Sequence, residues 1–442
     1  MPWWILAALY EAILLRLVFW GDLRGRAVET ILLTLAAGAL YACAVYLGVR
    51  RGSGARVMLG AALLFRITAW PLFPALSDDV FRYRWEGQVQ AEGGNPYGSR
   101  PADPEWSHLR DAAWQRIPGH DFRAVYGPLQ QLVQRGMYGM AAVWTDDPFR
   151  QAFWMKLPAA VFDLATIGLL LVLVRQRGLP DAQVAVYAWC PLPVLEFWGN
   201  GHNDALALFF LVLALVSVRA SGIGLGLGAA IATKLWPLAV APLFVTRKTW
   251  RGLIAGALPV LLLLMPFRDI AWSTVWENLR FTTGFVGGWR NNDSLFGALL
   301  WIAGGDLYLA KKLAFAGAGA ALAVALWKRW PIERGALTVL AVLLLVSANC
   351  HPWYLIWMLP FLTVLPVPWI LLWICLAPLG HAAVIGWHAA GEWNGSTPIR
   401  WFLYAPVSVF FLLTVLPVLV QTRSVLGPVL PGRRRQGPSA PC

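Results

Sequence analysis

Charge is what this chain has little of. Only 13% of its 442 residues are Asp, Glu, Lys or Arg, against about 25% in an ordinary soluble domain. That scarcity, with 58% hydrophobic residues in long runs, excludes a soluble fold, a disordered chain and a small disulfide scaffold. Cysteine is sparse as well. Cys43, Cys190, Cys350, Cys375 and Cys442 are scattered without metal-ligand spacing, so neither a zinc site nor a disulfide framework is expected. Short alternating strands of the outer-membrane-barrel kind are missing. There is no Walker A loop, no GxGxxG after a strand, no GxSxG and no HExxH. No nucleotide site is evident, so a group-transfer donor would not be ATP or a nucleotide sugar. Repeats at periods of 20–50 residues and inverted repeats of the transporter type are also absent.

What is present is apolar sequence in lengths that suit a bilayer, where a helical span takes about 20 residues. Apolar segments run over 3–20, 29–49, 57–75, 152–174, 183–198, 205–218, 222–246, 252–266, 306–327, 336–350, 352–366, 368–387 and 401–420. The prediction is an all-α polytopic integral membrane protein with about 12–14 transmembrane segments. The start, Met-Pro-Trp-Trp, has no basic n-region or cleavage site and reads as a retained span. The transmembrane domain is placed at 1–427, with outer loops over 77–151 and 267–305. A disordered basic cytoplasmic tail is placed at 428–442.

The net charge of +13 would suggest nucleic acid in a soluble protein. Here basic residues gather beside spans, as the positive-inside rule requires, and no nucleic-acid partner is expected. Clusters at Arg50-Arg51, Arg175 and Arg177, Arg247-Lys248 and Lys328-Arg329 mark the cytoplasmic side. This orientation requires that 222–246 cross as two half-spans meeting at Thr233-Lys234-Leu235-Trp236-Pro237. It also requires that the amphipathic stretch 127–144 lie along the surface.

The scarce remaining charge collects on the opposite side. Residues 77–126 hold 14 of the 59 charged residues, and a loop this long is usually functional. It opens with Ser77-Asp78-Asp79, where adjacent carboxylates can bind a divalent metal, act as a general base, or cap the next helix. Gly199-Asn200-Gly201-His202-Asn203-Asp204 is a tight turn whose His202 and Asp204 can meet a substrate or start the next span. Lys234, at a helix break inside an apolar segment, needs an anion or a wet cavity, and its point charge suits phosphate. His351 sits between two spans as a proton shuttle, hydroxyl partner or structural histidine. Tyr126-Gly127-Pro128-Leu129 and Asn291-Asn292-Asp293-Ser294 are functional clusters or turn chemistry only. Asp163 and Glu196 are acids within spans and carry the functional default for such positions, while Arg66, half-way along its span, needs a partner.

These residues resemble a known family. SDDVFRYRWEGQVQAEGGNPYG is similar to the signature of GT-C glycosyltransferases, in the branch of bacterial α-1,6-mannosyltransferases of lipomannan assembly. YGPL, GNGHNDALAL, ATKLWPL and NCHPWYLIW are similar to further motifs of that branch, in the same order, so the resemblance covers roughly residues 60–366. It implies a GT-C-type fold with an outward-facing active site in the bacterial inner (cytoplasmic) membrane. It implies a lipid-linked polyprenyl-phosphate sugar donor, mannose favoured, and a glycolipid or glycan acceptor hydroxyl, with inversion at the anomeric carbon. By motif, Asp78 or Asp79 would be the general base and Asp204 the second acidic residue of the site. Lys234 would hold the donor phosphate, with His351 lining the pocket. Arg82 would also meet phosphate or pair with Asp78 one turn away, and Tyr126, His202, Asn203 and Glu196 complete the substrate-binding set. No cofactor is required, though a divalent metal at Asp78 and Asp79 is compatible with the chemistry.

Two departures stand out. Arg84-Trp85-Glu86 replaces the Leu-Trp-Asp frequent in the branch, and three apolar segments precede the acidic loop where the core fold has one. The competing readings are a transporter or flippase of a lipid-linked sugar, and an inactive scaffold. A transporter would line both halves of the membrane with polar groups, whereas here they gather at one face.

Overall fold

The computed structural model describes residues 3–51, 54–271, 273–274, 277–278, 290–390 and 397–424. The tail over 428–442 and part of the second outer loop, chiefly 279–289, lie outside the described residues. The architecture is all-α. Among the described residues there is no strand, and the only β-type pairing is an isolated bridge between Asn291 and Asn349.

Among the described residues, six helices are long and apolar enough to cross a membrane: Trp3–Trp20, Ala27–Arg50, Pro148–Gln176, Trp250–Phe267, Leu307–Trp327 and Pro368–Gly386. Shorter apolar helices cover Asp204–Val216, Ala220–Thr233, Pro352–Val364 and Ile399–Thr414. Proline explains why other apolar stretches are not single rods, because it removes a backbone donor and crowds the preceding turn. The segment 183–198 is split by Pro191 and Pro193 into short turns, ending in a π-helical turn at Val194–Gly199.

The first elements frame the site. Helices α1 (Trp3–Trp20), α2 (Ala27–Arg51) and α3 (Ala55–Ala69) pack together, and Pro71 follows the end of α3. Helix α4 (Asp79–Ala91) then opens the long loop. It packs on α5 (Pro128–Trp144), which starts with proline at its first position, where no helix bond is lost. After the short α6 (Pro148–Trp154), the chain turns at Met155-Lys156 into α7 (Leu157–Gln176).

Three apolar clusters form among the described residues, one of them a small group around Phe296 and Ala310. The largest runs through the spans. The second gathers Val80, Phe81, Tyr83 and Trp85 of α4 with Met137 and Ala141 of α5 and Ala152 of α6. The long loop is therefore a folded cap with its own core. Helix α5 is amphipathic, as the sequence predicts, but its polar side faces inward: Gln130, Gln131 and Gln134 are buried, while Val143 and Trp144 are exposed. The reason is the partner on α4, since Gln131 donates to the buried Glu86 at 2.7 Å.

Two charges left open by the sequence find each other. Arg66 and Asp163 form an ion pair at 2.6 Å with both side chains fully buried. Tyr187 and Trp198 each donate to Asp163 at 2.8 Å, and Arg66 also donates to the Ala188 carbonyl at 2.7 Å. Each is the other's partner, so the functional expectation for Asp163 gives way to a structural role, with every buried charge hydrogen-bonded.

Candidate active site

The adjacent aspartates part company. Asp78 is the residue before α4, but its side chain does not cap the helix. It accepts from Arg24 at 2.6 Å and from Arg116, with a contact of 2.9 Å to Nε. Arg24 comes from the turn between α1 and α2, so one of the extra N-terminal helices' connections reaches the site's edge. Asp79 turns the other way. Its Oδ2 accepts from the hydroxyls of Tyr83 and Tyr126, each at 3.3 Å, and lies 3.4 Å from His202 Nδ1. The two carboxylates are engaged by different partners. Among the described residues no group of three or more His, Cys, Asp and Glu is arranged to hold a metal.

His202 links Asp79 to Glu196. Its Nε2 is 3.3 Å from Glu196, whose other oxygen is 2.8 Å from His381 Nε2. Asn200 donates to Glu196 at 2.9 Å. The tight turn exists because Gly201 takes φ +75°, a conformation open to glycine. Burial alone would push the His202 imidazole down, but Asp79 and Glu196 on either side more than offset it and raise its pKa to about 9. Burial likewise pushes Asp79 up. The contact and charge of His202, with the charge of Lys234, outweigh it and hold the Asp79 carboxyl below its ordinary value.

Lys234 lies at the predicted break. The helix Ala220–Thr233 stops there, and Lys234 is extended, with short 3-10 turns following. Its Nζ is 2.8 Å from Asp204 and 3.4 Å from the Asn203 side-chain oxygen. Asp204 also accepts from Trp357 Nε1 at 2.7 Å. The Lys234 ammonium sits 5.6 Å from the Tyr126 ring centroid and 5.7 Å from that of Tyr354. Tyr126 thus touches Asp79 with its hydroxyl and Lys234 with its face. The YGPL turn reaches this place because Gly127 N donates to the Thr233 carbonyl at 3.0 Å, and a Cβ on Gly127 would overlap the Ala232 carbonyl.

Aromatic rings wall the cluster. Trp353 is sandwiched between His202 at 4.0 Å and His351 at 4.4 Å between centroids, both nearly parallel. Burial pushes His351 down to about 3, so it stays neutral, and Asn291 Nδ2 lies 3.0 Å from its Nδ1. The Asn291–Ser294 cluster is therefore more than a turn: its first residue meets a site histidine, while Asp293 pairs with Arg290 and Arg400.

The structure thus brings together Asp79, Tyr126, Glu196, His202, Asn203, Asp204, Lys234 and His351. It leaves Asp78 and Arg82 outside. Arg82 does not pair with Asp78; it pairs with Glu86 at 2.7 Å and donates to the carbonyls of Gly119 and Phe122. Its guanidinium is engaged within the cap, and one helical turn separates it from Glu86 as readily as from Asp78. Sequence reasoning missed Tyr83, Trp357, His381, Arg24 and Arg116. Tyr83 and Trp357 lie within the motif strings SDDVFRYRWEG and NCHPWYLIW, and His381 is a histidine inside an apolar segment; Arg24 and Arg116 gave no signal.

A buried cluster of opposed charges at the end of an all-α bundle defines a polytopic membrane protein with one concentrated ionisable site. Residues 6–250, more than half of the chain, match the family described as Alpha-(1->6)-mannopyranosyltransferase, N-terminal domain, and the chain belongs to that family. It is a mannosyltransferase, hence a glycosyltransferase that takes a sugar donor and a glycan acceptor. No curated protein and no solved structure matches it.

Proposed function

We propose that the chain moves mannose from a polyprenyl-phosphate donor to a hydroxyl of a glycolipid or glycan, at the outer face of the bacterial inner membrane. The observation that carries this reading is the division of labour around Tyr126. Asp79, a carboxylate with only hydroxyl and imidazole neighbours, touches its hydroxyl; Lys234, an ammonium at a helix break, lies over its ring.

Asp79 takes the proton of the acceptor hydroxyl as its oxygen attacks the anomeric carbon. The bond from that carbon to the phosphate oxygen breaks, its electron pair leaves with the phosphate, and Lys234 meets the resulting charge. A single displacement inverts the anomeric centre. Phosphate leaves readily with its charge met, so neither an acid catalyst nor a cofactor is needed in this scheme. Asp78, held by Arg24 and Arg116, is not the base. Asp204 keeps Lys234 in place until a donor phosphate competes for it.

The test is transfer by purified protein from a panel of polyprenyl-phosphate sugars. Asp79→Asn is expected to lower kcat by about 10²–10⁴-fold, the usual contribution of a general base. Asp78→Asn keeps most of the turnover, and Lys234→Met raises the donor KM. Unchanged turnover in Asp79→Asn, or transfer only from a nucleotide sugar, overturns the reading. For sidedness, Ser107→Cys in the exposed part of the cap is expected to react with an impermeant thiol reagent from the outer face.

A further inference from the structure

We infer that Lys156, which lies outside the ionisable cluster, is a positioning residue that fixes the base-bearing segment against the turn that carries His202 and Asp204. This rests on the proposed role of Asp79.

The Lys156 side chain is fully buried. Its Nζ donates to three backbone carbonyls, those of Trp70 at 2.5 Å, Leu72 at 2.6 Å and Trp198 at 2.8 Å. Trp70 is the C-cap of α3 and Leu72 lies in the turn after it, before the chain runs to Asp79. Trp198 is in the last turn of Val194–Gly199, four residues before His202. The Trp70 and Trp198 carbonyls lie at helix C-terminal ends, the negative ends that lack intrahelical donors, and one ammonium joins both of them to the turn after α3. The rings of Trp70 and Phe153, at 4.7 and 4.2 Å, enclose the same ammonium.

The stem of the lysine is part of the fastening. A Cβ on Gly201 would lie 2.5 Å from Lys156 Cβ, so the turn rests on the lysine itself. A second link runs in parallel: the backbone N–H groups of Ala75 and Leu76 donate to Asn200 Oδ1 at 3.4 and 3.2 Å. The 3.4 Å contact between Asp79 and His202 is made where these two segments end. Its length is therefore set by how they are fastened, and Lys156 supplies the buried part of the fastening.

The experiment compares Lys156→Met and Lys156→Gln with wild type in the polyprenyl-phosphate mannose transfer assay, with Asp79→Asn alongside. Methionine keeps the stem and removes the ammonium. Lys156→Met is expected to lose about 100-fold in kcat, the usual effect of misplacing reacting groups by ~1 Å, with donor KM unchanged. Lys156→Gln, whose shorter side chain carries two N–H donors in place of the ammonium, is expected to fall between, and it keeps the inference testable should Lys156→Met not fold. Wild-type kcat per folded molecule in either variant, or a loss confined to KM, overturns the inference. Asp79→Asn separates the two claims. If it is inactive while Lys156→Met and Lys156→Gln are normal, the positioning role fails alone. If it is fully active, the base assignment fails.

Discussion

Replacing Arg66 by methionine tests the frame on which the site is built. The pair with Asp163 is fully buried on both sides, so no solvent discount applies. Removing one partner of such a pair costs about 3–5 kcal/mol, because the remaining charge is stranded. Two features move the value within that range. Asp163 keeps the Tyr187 hydroxyl and the Trp198 indole as donors, which lowers it. The Ala188 carbonyl loses its donor from Arg66, which adds about 1 kcal/mol. The expected cost of Arg66→Met is therefore about 4 kcal/mol. The double variant Arg66→Met, Asp163→Asn removes both charges and is expected to recover to within about 2 kcal/mol of wild type, a strongly non-additive pair. Equilibrium unfolding in mixed detergent micelles, followed by tryptophan fluorescence and circular dichroism, measures both. A cost below about 1 kcal/mol for Arg66→Met, or additive costs in the double variant, would refute the reasoning. Trp198 donates to Asp163 through its ring and accepts from Lys156 through its carbonyl, so loss of the pair also loosens the active-site turn.

Glu196→Gln removes one of the two carboxylates that keep His202 protonated. Burial then prevails, the imidazole is neutral at lower pH, and Asp79 loses a cationic neighbour. The acidic limb of kcat/KM, which reports ionisation of Asp79, is expected to move to higher pH; an unmoved limb would separate Glu196 from the base. The stability sign is also fixed. His202 rises from 6.5 to about 9 on folding, so its contribution is complete below 6.5 and lost as pH climbs through 9, and Glu196→Gln should flatten that fall in a pH series of unfolding midpoints. Gly127→Ala pushes the YGPL turn off the Ala232 carbonyl. It is expected to weaken donor binding up to about tenfold, the worth of one lost hydrogen bond; an unchanged donor KM would show that Tyr126 is not held by that turn.

Four of the positions that the sequence flagged share one property: each is a polar residue where an apolar run ends or breaks. Lys234, Asp204, His202 and Asp79 are all of this kind, and the break at Lys234 forms where proline and lysine predict it. Residues whose role depends on direction were not legible. Asp78 and Asp79 are neighbours in the chain, yet the helical rotation between them sends one to Arg24 and Arg116 and the other to His202. Arg82 has acids one turn away on either side, and only the cap's packing selects Glu86. Arg66 and Asp163 are 97 residues apart, a pairing that no local pattern encodes.

The sequence by itself determined that this is an all-α membrane protein, because bilayer length and the cost of charge in lipid act on runs of residues. It also located the segments that form the buried ionisable cluster, because scarce charge is conspicuous there. Only the tertiary structure decided which aspartate faces the cluster, that Glu196 connects to His381, and that Lys156 joins two helix ends. Those facts depend on the rotation of each helix and on contacts between segments far apart in the chain, and neither is written in local order.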